Sequence, residues 1–244
     1  MKNLTLALLL ALALVSSAVA QHAAHGDHAG HADHADHAGH AHKSHNDQYV
    51  DPGLDVDRMV GRFENERREV FALREAIVAA AGIKPGHVVA DIGAGTGAFL
   101  APLVAAVGED GHVMAVDISI RFVEHLRQVA DDAGYGNVTA VFSSFTSATL
   151  PPGSVDRMIV VDTYHHFDDH QAMLASMLAA LRPGGELVVV DFDKHDGARD
   201  WIKGHVRGTK DEFRGEIETA GFAFVEEVAI DGMQENFVHR YRRP

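Results

Sequence analysis

Asp91-Ile92-Gly93-Ala94-Gly95-Thr96-Gly97 follows the apolar run Val88-Val89-Ala90 and precedes a second apolar series, Phe99, Leu100, Leu103, Val104 and Val107. That order predicts a buried strand, a glycine turn and a helix. Glycines let backbone approach a ligand closely, and the N–H groups of a helix start favour a negative group. The acid closing the strand wants a positive partner. A ligand bearing an ammonium and a carboxylate on one end suits both.

Strands alternate with helices on the C-terminal side. The pattern predicts strands over 112–116, 138–142, 158–161 and 187–192, with helices over 120–133 and 171–181. Pro102 is tolerable in the helix after the glycine turn only near its start. Thr209 and Glu212 read as a capping box opening a helix to Ala220, with Gly221 as its stop, and closing strands are expected over 222–230 and 236–241. On the N-terminal side, 57–81 is expected as one helix, ended by Pro85-Gly86. Strands alternating with helices imply an α/β domain around a largely parallel sheet.

Ligands of such sheets bind beyond the carboxyl ends of the strands. Those ends carry Asp91 with its glycines, Asp117-Ile118, Ser143-Ser144-Phe145, Asp162-Thr163-Tyr164-His165-His166-Phe167 and Asp191-Phe192-Asp193. Asp117 lies twenty residues past Gly97, a spacing at which a carboxylate can take both hydroxyls of a ribose. It could equally cap the helix that follows. Gly93-Ala94-Gly95-Thr96-Gly97-Ala98 also satisfies the dinucleotide fingerprint G-x-G-x-x-G/A, so an NAD-dependent oxidoreductase is an alternative. Asp91 weighs against it, since an acid there repels a pyrophosphate, and the chain lacks a Tyr-x-x-x-Lys pair for hydride chemistry.

The N-terminus has a different composition. Met1-Lys2-Asn3, the apolar run 4–15 and Ala18-Val19-Ala20 read as a secretory signal peptide cleaved after Ala20, which implies an exported, periplasmic protein. The apolar core is shorter than the ~20 residues of a spanning helix, and no other stretch is long and apolar enough, so no membrane association is expected after cleavage. Residues 21–51 hold His22, His25, His28, His31, His34, His37, His40, His42 and His45 among Ala, Gly and Asp. Before Tyr49 the segment has no large apolar residue to bury, and it is expected to be disordered. Imidazoles with interspersed carboxylates suit Zn²⁺, Ni²⁺ or Cu²⁺, so divalent metal ions are candidate ligands. A solvated spacer is the plainer reading.

The 244 residues contain no cysteine, which excludes disulfides, thiolate metal sites and a cysteine nucleophile. A net charge of −14 argues against nucleic-acid binding and fits a small-molecule substrate better than a polyanion. The expected organisation is a leader over 1–20, a His-rich segment over 21–51 and one catalytic domain over 52–244.

Taken together, residues 88–97, Val113-Met114-Ala115-Val116-Asp117-Ile118, Asp162-Thr163-Tyr164-His165-His166-Phe167 and Leu181-Arg182-Pro183-Gly184-Gly185 resemble the class I S-adenosylmethionine-dependent methyltransferases. The Tyr-His-His-Phe segment resembles that of an exported bacterial group within them. The resemblance implies a three-layer Rossmann-like fold whose seven-stranded, mostly parallel sheet has its last strand antiparallel. It implies that Asp91, Gly93, Ala94, Gly95 and Gly97 hold the methionine part of S-adenosyl-L-methionine, Asp117 the ribose and Ile118 one face of the adenine. Where an acid often binds the adenine amino group, this chain has Ser144 and Phe145, and Asp162 completes the cofactor set. Methyl transfer chiefly needs nucleophile, methyl and sulfur aligned, with proton removal as an addition. His165 is the candidate base, with Asp162 or Tyr164 as orienting partner and His205 in a second polar cluster covering the pocket. An exported metal-binding protein that uses the His tract, with an idle α/β domain, is the remaining alternative.

Overall fold

The computed structural model describes residues 46–244. The leader and His22 through His45 lie outside the described residues. Seven strands form one sheet: β1 (Val88–Ile92), β2 (His112–Asp117), β3 (Val138–Phe142), β4 (Val155–Val161), β5 (Leu181–Phe192), β6 (Ala223–Glu227) and β7 (Asn236–Arg242). Their order is β3-β2-β1-β4-β5-β7-β6, with β7 antiparallel to both its neighbours and the other pairs parallel. The α/β class and the single reversed strand are therefore as expected.

Side-chain alternation explains why both faces of the sheet are covered. Met158 and Val160 of β4, and Leu187 and Val189 of β5, are buried with Leu174, Met177, Phe213 and Ile217. Their neighbours Ile159, Val188 and Val190 are buried on the opposite face with Ile77, Leu103 and Leu126. A strand with a period of two can be apolar throughout only if helices pack on both its sides. The helices doing so include α5 (Leu100–Val107), α6 (Ile120–Ala133), α7 (His170–Ala180) and α9 (Lys210–Thr219). Pro102 is the third residue of α5, where its missing N–H costs nothing. The Thr209–Glu212 capping box of α9 is present in both directions.

The helix expected over 57–81 is three pieces: α2 (Val56–Phe63), α3 (Glu69–Ala72) and α4 (Arg74–Ala80). Asn65 breaks it. Its side-chain oxygen accepts the Arg67 N–H at 2.9 Å and its carbonyl accepts the Arg68 N–H at 2.8 Å, a local turn that competes with helix bonding. The break swings Arg68 and Glu69 onto the carboxyl edge of the sheet. Residues 46–51 also differ from expectation: α1 (Asp47–Val50) is helical, and Tyr49 packs with Leu54, Met59, Phe63 and Phe122. A further helix, α8 (Asp200–His205), follows β5, and β6 is shorter than the strand expected over 222–230. No helix among the described residues is long and apolar enough to cross a membrane.

β1 lies between β2 and β4, where the chain's winding reverses. That reversal opens a crevice beyond the strand ends, and the glycine turn sits at its mouth.

Candidate active site

Gly93, Gly95 and Gly97 all have left-handed backbone, with φ of 78°, 56° and 88°. Gly93 is also sterically fixed, because a Cβ there would lie 2.3 Å from Thr163 Cγ2. At Gly95 the nearest atom to such a Cβ is 3.9 Å away, so that face of the loop is open. Gly95→Ala is therefore expected to cost about 1–2 kcal/mol from backbone strain alone, and Gly93→Ala about 1–3 kcal/mol more from overpacking. Urea unfolding of the two variants checks the order.

The turn contributes less to anion binding than expected. Gly93 and Ala94 N–H donate to the Val116 carbonyl, Gly97 N–H to the Ala94 carbonyl, and Gly95 N–H to Asp117 Oδ2 at 2.8 Å. With these amides already paired, the loop offers close backbone approach rather than a cradle for a pyrophosphate. Among the expected ligands, that disfavours the dinucleotide.

Asp91 is buried, and its Oδ2 has no hydrogen-bond partner among the described residues. Burial, with the nearby Asp117 charge second, pushes its carboxyl up to about 7. A buried carboxylate left unpartnered is costly unless a ligand supplies the donor. Asp117 accepts the N–H groups of Gly95 and Ser119, each at 2.8 Å. Burial raises it to about 6 against the pull of those backbone bonds. Ser119, not Asp117, is the N-cap of α6, and its side chain makes no cap bond.

Both acids line a cavity of about 400 Å³, within the range of small-molecule sites. Gly93, Ala94, Gly95, Ile118, Phe145 and Asp162 share that wall, while Gly97 lies outside it, packed near Leu100 and Leu126. Ser143 rather than Ser144 lines the large cavity. Ser144 faces a shallow adjoining recess with Ile118 and Phe145. Tyr49, Phe63, Phe71, Phe122, Phe192 and Trp201 give the cavity a strongly aromatic lining.

The opposite end holds the histidines. His165 sits in a 3-10 turn (Tyr164–His166) directly after β4, nearly buried. Its Nδ1 is 2.7 Å from Asp191 Oδ1, and its backbone N–H donates to Asp191 Oδ2 at 3.0 Å. Burial opposes charge on this ring, but the Asp191 carboxylate outweighs it and the net direction is upward. His165 Nε2 lies 3.2 Å from His205 Nε2. The expected orienting residues behave otherwise. Asp162 pairs with Arg68 Nη2 and accepts from Asn236 Nδ2, each at 2.6 Å. Tyr164 points into the core against Phe167 and Phe213 and donates to Glu216 at 2.8 Å. Asp191 is the partner that sequence reasoning left out of the site, although it stands at a strand end, the position that marks ligand residues in this architecture.

Arg68 and Glu69 tie the entrance down. Glu69 accepts the N–H groups of Gln234, Glu235 and Asn236, the last two at 2.9 Å, while Arg68 holds Asp162. Asp162 keeps a left-handed φ of 48°, unusual for a non-glycine residue, with both oxygens bonded.

Residues 89–185 match a family model described as a methyltransferase domain. The chain is 34% identical over 122 residues to the ubiquinone/menaquinone biosynthesis C-methyltransferase of Shewanella piezotolerans, covering 49% of each chain. This chain thus spans about half the length of the curated relatives it matches. The fold resembles that of a SAM-dependent methyltransferase from Aquifex aeolicus, with a TM-score of 0.69 and 23% identity over 78% of this chain and 99% of that one. It also resembles the [4+2]-cyclase SpnF, with a TM-score of 0.62 and 15% identity over 71% and 80%. A cyclase on the same architecture shows that chemistry has to be argued from the cavity.

Proposed function

We propose that this protein is an exported S-adenosylmethionine-dependent methyltransferase acting on a small molecule. The observation that carries the reading is Asp91, whose buried Oδ2 has no partner among the described residues and which lines a cavity with the glycine turn. An α-ammonium fits that carboxylate. Asp117 has lone-pair capacity left for ribose hydroxyls beside the backbone bonds it accepts. Ile118 and Phe145 supply apolar surface for a base.

Bound here, S-adenosylmethionine would supply a methyl group on a sulfonium leaving group. His165 is the candidate to take the proton an acceptor loses, with Nδ1 held by Asp191 in the tautomer that leaves the Nε2 lone pair on the side of His205, 3.2 Å away. Phe192 and Trp201, in edge contact at 4.8 Å, flank that end and suit a flat, largely apolar acceptor. Export rests on the run 4–15 and Ala18-Val19-Ala20. The His tract, as a metal-binding segment, belongs to the same proposal.

Isothermal titration of the protein with S-adenosylmethionine, S-adenosylhomocysteine and NAD tests the cofactor. Micromolar-range binding of the sulfur compounds and none of NAD is expected. Binding of NAD alone, or of none of the three, overturns the reading.

A further inference from the structure

We infer that His165, His166 and His205 form a binding site for a divalent d-block cation, distinct from the N-terminal His tract. The inference goes beyond methyl transfer and stands whether or not S-adenosylmethionine binds.

The three rings come from two separate elements, the turn after β4 and the last residue of α8. Their ligand nitrogens all lie within 4.8 Å of one another. His165 Nε2 and His205 Nε2 face each other at 3.2 Å. Two nitrogens bound tetrahedrally at about 2.0–2.1 Å from one ion stand about 3.3 Å apart, so this pair already has ligand spacing. His166 completes the set, its ring centroid 4.1 Å from that of His165 and 5.4 Å from that of His205.

Asp191 supplies what such sites need behind the ligand. Its carboxylate, wholly buried, accepts a hydrogen bond from His165 Nδ1–H at 2.7 Å, which leaves the Nε2 lone pair facing His205. A carboxylate behind a ligating imidazole fixes its tautomer and raises its basicity. All three histidines line the cavity, whereas Asp191 stands behind them. An ion held there would have its remaining positions towards the acceptor end, where an oxygen of a bound molecule fits. Imidazole donors favour Zn²⁺, Ni²⁺, Co²⁺ or Cu²⁺ over Mg²⁺ or Ca²⁺. With the ion bound, His165 Nε2 serves as a ligand, and the charge activating an acceptor is the ion's instead of an imidazole's.

Trp201 makes the test specific. It is the single tryptophan of the chain, and its ring centroid lies 6.1 Å from that of His205. Titrating the full chain with CoCl₂ is expected to quench Trp201 fluorescence saturably. ZnCl₂, diamagnetic and higher in the affinity order, is expected to restore the signal by displacement. Loss of an outer-shell partner alone typically costs about 10–100-fold in metal affinity, so His205→Ala should weaken the quenching transition by at least about tenfold. His205→Gln serves as the second variant, and unchanged thermal unfolding shows that each has folded. Quenching that persists unaltered in both variants places the metal elsewhere and overturns the site. Absence of saturable quenching in the parent also overturns it and leaves three rings joined only by hydrogen bonding. S-adenosylhomocysteine affinity, measured on the same parent preparation, keeps failure of this inference separate from failure of the methyltransferase reading.

Discussion

Asp91→Asn is expected to weaken S-adenosylhomocysteine binding by about 10- to 100-fold while stabilising the ligand-free protein. A hydrogen bond to a charged group is worth about 1.5–3 kcal/mol, and each 1.4 kcal/mol is tenfold in affinity. The opposite signs follow from one fact: Asp91 is buried, and its Oδ2 has no hydrogen-bond partner among the described residues. Its carboxyl, lifted to about 7 by burial, takes up a proton at far higher pH than an exposed acid does. An ammonium binds only the carboxylate. Affinity of the parent should therefore be full above pH 7 and fall towards tenfold per unit below it. Asp117, lifted to about 6, adds to the loss further down.

Stability runs the other way. A carboxyl whose folded value exceeds its unfolded value of about 4 penalises the folded state at high pH, and the penalty fades as pH falls through 7. The asparagine variant carries no such penalty, so its advantage in thermal unfolding should be large at pH 8 and small at pH 5. Titration calorimetry from pH 5.5 to 8.5 and thermal melts of both proteins read these trends. A pH-independent parent affinity, equal to that of the variant, would show that Asp91 meets no amine.

Asp191→Ala should cost about 3–5 kcal/mol of folding stability, the range seen when one partner of a buried charged pair is removed. Asp191 accepts from His165 Nδ1 and from the backbone N–H groups of His165 and Phe192, at 2.7, 3.0 and 2.7 Å. Alanine leaves all three donors without that acceptor, and the two on His165 are buried. Asp191→Asn should recover part of the loss, since its amide oxygen can still accept. Denaturant unfolding of the series measures this, and a loss below about 1 kcal/mol for alanine would mean that the turn after β4 is held by other contacts.

The strand–turn–helix at 88–107 was legible because every level agreed: a continuous apolar run, glycines where positive φ is needed and an apolar helical series afterwards. The sheet class was legible for similar reasons, whereas the reversal of β7 was implied only by the family resemblance. The 57–81 region was not. Its apolar spacing fits one helix, and a single asparagine with its own backbone-competing side chain divided it. Tyr164 and His165 illustrate a different limit. They are adjacent in the chain, yet the 3-10 turn sends one side chain into the core and the other to the cavity wall.

Read alone, the chain singled out the glycine turn and the acid ending β1 as candidates for ligand approach, because both are local properties of a few neighbouring residues. Tertiary structure decided which groups meet there. Arg68 with Asp162 spans 94 residues, His165 with His205 spans 40, and His165 with Asp191 spans 26. No spacing rule links such pairs, since parallel strands bring their carboxyl ends together only after the intervening helices have crossed back over the sheet.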